Sequence, residues 1–102
     1  MNPVRWREVR DTIANTTPAG FLGCATAIQT FDYLDRLHTI KVPTLVICGD
    51  EDPGTPPDRN QLIASKIAGG RYEGIAKARH LPNIERPEQF NRVMMAFLAA
   101  NR

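Results

Sequence analysis

Two loops carry the residues that could do chemistry, and each loop follows a strand-like run. The first contains Asp50 and Asp52 after the apolar run 44–48, and the second contains His80 after the run 71–76. Loops at the carboxyl ends of parallel strands lie at one edge of the sheet, and neighbouring strands are about 4.8 Å apart. Either aspartate could therefore accept a hydrogen bond from one imidazole nitrogen, which leaves the other nitrogen free as a base.

A pair of this kind suits acyl transfer, which also requires a nucleophile. The Gly-x-Ser-x-Gly elbow does not occur in these 102 residues, and the single serine, Ser65, lies within a helical pattern. Cys24 lies on a helical pattern and Cys48 at the end of a strand, so neither resembles an elbow. We therefore expect the chain to have no appreciable esterase activity by itself.

Hydrophobic periodicity places these loops within an α/β arrangement. The predicted elements are a helix over 4–15, a second helix capped by Thr17 and Pro18, a short apolar piece around 31–37, strands over 44–48 and 71–76, a helix over 57–68 and a last helix opened by Pro87. Strand–helix–strand alternation predicts a parallel pair. The run 44–48 is apolar on both faces, which is typical of a strand with neighbours on both sides. The chain offers it one neighbour, so the sheet is predicted to be incomplete.

Composition narrows the classes of function and partner. Thirteen basic and 11 acidic residues are scattered along the chain and leave a net charge of +2, so neither nucleic acid nor a membrane surface is predicted as a partner. No run is apolar for long enough to span a membrane, and the N-terminus lacks a secretory pattern, which favours the cytoplasm. Cys24 and Cys48 are expected to be buried thiols, with a disulfide between them as the weaker alternative.

Metal binding is the weaker alternative for the chemistry of these loops. Asp50, Glu51, Asp52 and His80 could in principle hold a divalent ion, but Pro53 falls at the wrong offset for a calcium loop. Nothing else in the chain supplies a ligand at a recognisable spacing. We therefore expect neither a metal nor an organic cofactor.

The stretch 42–57 resembles the acid loop of α/β-hydrolases, with its Gly-x-x-Asp-x-x-x-Pro pattern. In that register Gly49 and Pro56 match the frame, and the resemblance implies that Asp52 is the acid of the catalytic triad. Asp50 is then not the family's acid.

The stretch 80–90 resembles the histidine loop of the same family. His80 matches the triad histidine, while Glu85 and Pro87 match residues that usually follow it. Arg79 is a departure, because such families often have Gly or Ala before the histidine, and a bulky cation there could alter access to the site.

Within the superfamily the chain resembles the 3-oxoadipate enol-lactonases, through residues 17–28, Asp32 and residues 80–85. The resemblance implies the C-terminal portion of an α/β-hydrolase fold. Helical lid residues 1–40 would precede a β-α-β-α core over 41–102. The family's nucleophile and oxyanion loop would lie upstream, and the substrate would be a small lactone or ester.

Two functional hypotheses follow. In the first, the chain is a fragment of a serine hydrolase that carries Asp52 and His80 but not the nucleophile, and a missing N-terminal half completes its sheet. In the second, it is a non-catalytic module derived from a hydrolase tail, which covers the open edge of strand 44–48 by homo-oligomerisation.

Overall fold

The computed structural model describes residues 2–102; Met1, which opens the predicted lid segment, lies outside the described residues. In chain order the elements are α1 (Pro3–Ala14), α2 (Pro18–Gln29), a 3-10 helix (Leu34–Thr39), β1 (Leu45–Gly49), α3 (Pro57–Lys66), β2 (Arg71–Ile75), α4 (Pro82–Glu85) and α5 (Pro87–Ala100). They divide into two compact units, with the boundary between Tyr33 and Leu34. The assignment of residues 1–40 to a lid stays a prediction.

The first unit consists of two capped helices. The Asn2 side chain accepts the Val4 N–H at 2.9 Å at the start of α1. Thr17 caps α2, as predicted, by accepting the Gly20 N–H at 3.0 Å. Neither helix contains a buried residue. The prediction that both thiols are buried is therefore wrong for Cys24, which is exposed, because α2 buries none of its apolar positions.

The second unit is built around a parallel pair of strands, as predicted. Leu45 of β1 lies opposite Arg71 of β2, and the register continues to Gly49 opposite Ile75. Helix α3 connects the strands and packs against both, and α5 contacts β2. The buried apolar side chains are small in number: Cys48, Ala64, Ile67, Ile75 and Ala78. In the described part of the chain β1 is paired along one edge only, and its first three residues are only half-buried.

Two details differ from the sequence prediction. Helix α3 ends at Lys66 because Ile67 already has an extended backbone, with φ −102° and ψ 127°. A short helix, α4, precedes the last helix, and Arg86 separates the two with a non-helical φ of −137° and ψ of 61°. None of the helices in residues 2–102 has the length and apolar character needed to cross a membrane.

Candidate active site

The loops after β1 and β2 are joined directly by backbone hydrogen bonds. The Asp50 N–H donates to the Ile75 carbonyl at 3.0 Å, and the Glu51 N–H donates to the Ala78 carbonyl at 2.9 Å. These bonds continue the strand pairing past the end of the sheet. The two loops are thereby fixed to each other before any side chain is considered.

Gly49 makes this close approach possible. A β-carbon at this position would overlap the carbonyl oxygens of Ala78 and Arg79. Because the obstacle is backbone rather than a mobile side chain, no rotamer change relieves it. The glycine that marks the end of β1 therefore also allows the histidine loop to cross the acid loop.

Asp52 is buried, with 6% of its surface exposed, and its carboxylate is fully hydrogen-bonded. Oδ1 accepts the N–H groups of Gly54 and Thr55, both at 3.0 Å. Oδ2 accepts the Thr55 hydroxyl at 2.6 Å and lies 2.8 Å from Nδ1 of His80. Hydrogen bonds from the Thr55 hydroxyl and N–H, and then from His80, hold the pKa of Asp52 well below its ordinary value. The group is therefore a carboxylate at neutral pH.

Within residues 34–102, the His80 ring is hydrogen-bonded through Nδ1 only. Since an ionised carboxylate can only accept, Nδ1 of His80 must carry the proton that is donated to Asp52. Nε2 is then unprotonated in the neutral ring, and it makes no hydrogen bond to residues 34–102. The His80 side chain is 69% exposed. The geometry thus presents an oriented, accessible base.

Glu85 holds the backbone on both sides of this histidine. Its carboxylate accepts the Arg79 N–H at 3.0 Å and the Leu81 N–H at 3.2 Å. Helix α4 places Glu85 here, since it begins at Pro82 and ends at Glu85 itself. The sequence indicated Glu85 only as a position in a motif, and its contacts depend on the unpredicted helix.

Asp50 lies in the same loop but does not join the pair. Its carboxylate packs over Gly74 of β2, where a β-carbon would overlap Oδ1 of Asp50. It is exposed and makes no hydrogen bond to His80. The geometry therefore separates two aspartates that strand position alone left equivalent, and it pairs Asp52 with the histidine.

Thr55 and Asn60 were not identified from the sequence. Thr55 contacts both members of the pair, with its hydroxyl oxygen 3.2 Å from Nδ1 of His80. Asn60 of α3 donates to the Thr55 and Pro56 carbonyls at 2.8 and 3.2 Å. An available signal was the Asp-x-x-Thr spacing, because an aspartate side chain often accepts the N–H groups two and three residues later.

A buried thiol lies beneath the acid loop. Cys48 donates to the Gly49 carbonyl at 3.2 Å and accepts the Asn60 amide at 3.4 Å. Burial raises the pKa of the Cys48 thiol, and nearby aspartate charges add to the effect. Cys48 is therefore a poor nucleophile that packs under the site. Among residues 2–102 no group of three or more His, Cys, Asp or Glu side chains is arranged to hold a metal ion.

A parallel β-α-β unit with a carboxylate and a histidine in adjacent C-terminal loops is the arrangement expected of an α/β-hydrolase. The family model described as alpha/beta hydrolase fold matches residues 2–87. The chain belongs to this family, and the predicted α/β class with a partial parallel sheet is confirmed.

Individual relatives show which members of the family the chain is similar to. The chain is 31% identical over 87 residues to 3-oxoadipate enol-lactonase 1 of Acinetobacter baylyi, covering 85% of this chain and 32% of the relative. The crystal structure of the enol-lactonase from Burkholderia xenovorans superposes with a TM-score of 0.89 at 35% identity, over 95% of this chain and 37% of that one. These matches confirm the resemblance to enol-lactonases.

Other chemistry also occurs among the relatives. A proline iminopeptidase of Lacticaseibacillus rhamnosus is 36% identical over 74 residues, covering 72% of this chain and 25% of the relative. The chain spans about a third of the length of the enol-lactonases it matches.

Proposed function

We propose that this chain supplies the acid and the base of a serine hydrolase that opens an enol-lactone or cleaves a carboxylic ester. The observation that carries the proposal is the 2.8 Å contact between Asp52 Oδ2 and His80 Nδ1, which leaves Nε2 accessible. The similarity to two enol-lactonases supports this class of substrate.

In this reaction Nε2 of His80 takes the proton of a serine hydroxyl while the serine oxygen bonds to the acyl carbon. The resulting imidazolium keeps its Nδ1–H on Asp52, whose charge stabilises it. Nε2 then gives the proton to the leaving enol oxygen, and the C–O bond of the lactone breaks. In the second half, water attacks the acyl-enzyme, its proton passes through Nε2 to the serine oxygen, and the acid is released.

The nucleophile of this mechanism is proposed to lie outside the 102 residues. Ser65 does not qualify, because its hydroxyl donates to the Leu62 carbonyl of its own helix at 2.7 Å. A backbone oxyanion site would have to come from the same source. Residues 1–40, including Trp6 and Phe21, would then belong to a lid over an apolar pocket.

A chimaera tests the proposal directly. The region of the Acinetobacter baylyi enol-lactonase that matches this chain is replaced by the chain itself, and hydrolysis of an enol-lactone is followed. We expect turnover, and we expect His80→Ala to reduce kcat by a factor on the order of 10⁵. Turnover that survives His80→Ala would contradict the proposal.

The same chimaera separates the two substrate classes among the relatives. A proline arylamide is offered in place of the lactone, at matched concentrations. We expect the lactone to be preferred, because the enol-lactonase matches span more of this chain than the iminopeptidase match. Preference for the arylamide would leave the proposed role of His80 as the base unchanged, but it would contradict the proposed lactone or ester substrate and favour a peptide substrate.

The alternative is a non-catalytic module that associates with a second copy of itself. It is favoured by β1, which is paired on one edge only within residues 2–102, since open edges invite strand pairing. Light scattering of the purified chain tests it. A dimer that persists on dilution would support this alternative, and a monomer would exclude it.

A further inference from the structure

The Thr55 hydroxyl forms a closed triangle with the two members of the pair. It lies 2.6 Å from Asp52 Oδ2 and 3.2 Å from His80 Nδ1, while these two atoms are 2.8 Å apart. One carboxylate oxygen therefore faces two donors at once. Neither contact involves Nε2, so the three-atom arrangement leaves the proposed basic nitrogen of His80 unoccupied.

Only one arrangement of protons satisfies this triangle. Thr55 has a single hydroxyl proton. Thr55 donates this proton in the short hydrogen bond to the Asp52 carboxylate, which has no proton to donate. The lone pairs of the Thr55 oxygen are then available to Nδ1 of His80. A proton on Nδ1 meets two acceptors, whereas a lone pair on Nδ1 would face two oxygens at close range. Asp52 and Thr55 therefore both favour the tautomer that carries its proton on Nδ1 and leaves Nε2 unprotonated.

The hydroxyl is itself held in place by α3. The Thr55 N–H donates to Asp52, and the Thr55 carbonyl accepts the Asn60 amide at 2.8 Å. Asn60 also donates to the carbonyl of Pro56, the N-cap residue of α3. The N–H and the carbonyl of Thr55 are therefore both hydrogen-bonded, which fixes the backbone from which the hydroxyl projects.

We infer that Thr55 is a positioning residue, which selects the Nδ1–H tautomer of His80 by completing the hydrogen-bonding of Asp52. It does not touch the substrate and acts through the pair. The inference rests on the proposed function for its catalytic meaning. The tautomer itself can be measured on the 102-residue chain, whether or not any substrate is turned over.

Nitrogen NMR of the imidazole rings at alkaline pH tests the inference. Thr55→Val removes the hydroxyl and keeps the branched shape, Thr55→Ser keeps the hydroxyl, and the exposed His38 serves as an internal reference. We expect the Nδ1–H to Nε2–H ratio of His80 to fall on the order of fivefold in Thr55→Val, as the loss of one hydrogen bond implies. The ratio should be unchanged in Thr55→Ser and at His38.

The result for the valine variant decides whether the Thr55 hydroxyl selects the tautomer. An unchanged ratio in folded Thr55→Val would overturn the inference. If that variant does not fold, Thr55→Ala is measured instead. If only the serine variant keeps the native fold, the hydroxyl is needed for folding rather than for the tautomer, and the inference is equally overturned.

A second readout uses the active chimaera. There Thr55→Val should lower kcat by at most about fivefold with little change in KM, since the fraction of His80 in its reactive tautomer cannot fall by more than the tautomer ratio does. Thr55→Ser should restore kcat. If His80→Ala leaves activity intact, the proposed function fails, while the NMR result on the isolated chain still decides the role of Thr55.

Discussion

The acid loop, residues 50–56, and the histidine loop, residues 76–81, differ in the burial and hydrogen bonding of their ionisable side chains. Asp52 is 6% exposed and its two oxygens accept four hydrogen bonds. The His80 side chain is 69% exposed, and within residues 34–102 its hydrogen-bond contacts are all at one nitrogen. The fold encloses the group whose charge the proposed reaction needs and leaves open the group that would exchange protons in that reaction.

The physical reason lies in what each group needs. A buried carboxylate is costly unless its lone pairs are satisfied, and Thr55 with Gly54 satisfies them locally. In the proposed reaction, the histidine must instead reach a nucleophile that lies outside the 102 residues. The histidine loop is therefore stabilised through its backbone by Glu85, which leaves the ring free.

The largest expected effect is on the acid. Asp52→Asn in the active chimaera places an amide opposite Nδ1 and removes the charge that stabilises the imidazolium. We expect kcat to fall by a factor on the order of 10⁴. Asp50→Asn is the matched control in the same loop and should change kcat less than twofold, measured by enol-lactone hydrolysis. Equal losses in the two variants would break the distinction drawn between the aspartates.

The crossing of the two loops should be the next most sensitive feature. Gly49→Ala forces a methyl group against the carbonyls of Ala78 and Arg79, and we expect it to lower the free energy of unfolding by roughly 3 kcal/mol. Gly23→Ala is the control, because apart from its chain neighbours and the backbone of its own helix nothing lies within 4 Å of the added methyl, and alanine suits a helix. Urea denaturation of both variants provides the measurement, and equal stabilities would show that the loops can separate freely.

A smaller effect is expected from the support of the histidine loop. Glu85→Ala leaves the N–H groups of Arg79 and Leu81 without their acceptor, which should cost about 1–2 kcal/mol in unfolding free energy. Glu88→Ala, an exposed change in the first turn of α5, should cost a few tenths of a kcal/mol. Thermal denaturation compares them. If Glu85→Ala is no more harmful than Glu88→Ala, the carboxylate does not hold the loop.

The weakest effect is the pH dependence of stability. Because the pKa of Asp52 is lowered in the folded chain, its contribution is fully present above the ordinary aspartate pKa of about 3.9 and is lost as the pH falls below it. Up to one proton should be taken up on unfolding in this range. Denaturation of the wild type and of Asp52→Asn between neutral and acidic pH measures the difference. Parallel curves for the two proteins would contradict it.

Local sequence determined most of the framework. Thr17 and Pro18 begin α2, Pro87 begins α5, and the apolar run before Gly49 becomes β1. These features depend on capping geometry, on the missing proline N–H and on the periodicity of apolar residues, which neighbouring residues settle among themselves. The order of the strands then places Asp52 and His80 at one edge of the sheet.

The family motif in the sequence pointed to Asp52, but the tertiary structure alone shows that Asp52 rather than Asp50 pairs with His80 and what surrounds the pair. Asp50 and Asp52 follow the same strand two residues apart, and the crossing of the histidine loop over Gly49 brings His80 to Asp52. The roles of Thr55 and Glu85 likewise depend on atoms 25 and 6 residues away. Hydrogen bonds of this kind require positions within a few tenths of an ångström, and that accuracy comes from the packed backbone rather than from spacing along the chain.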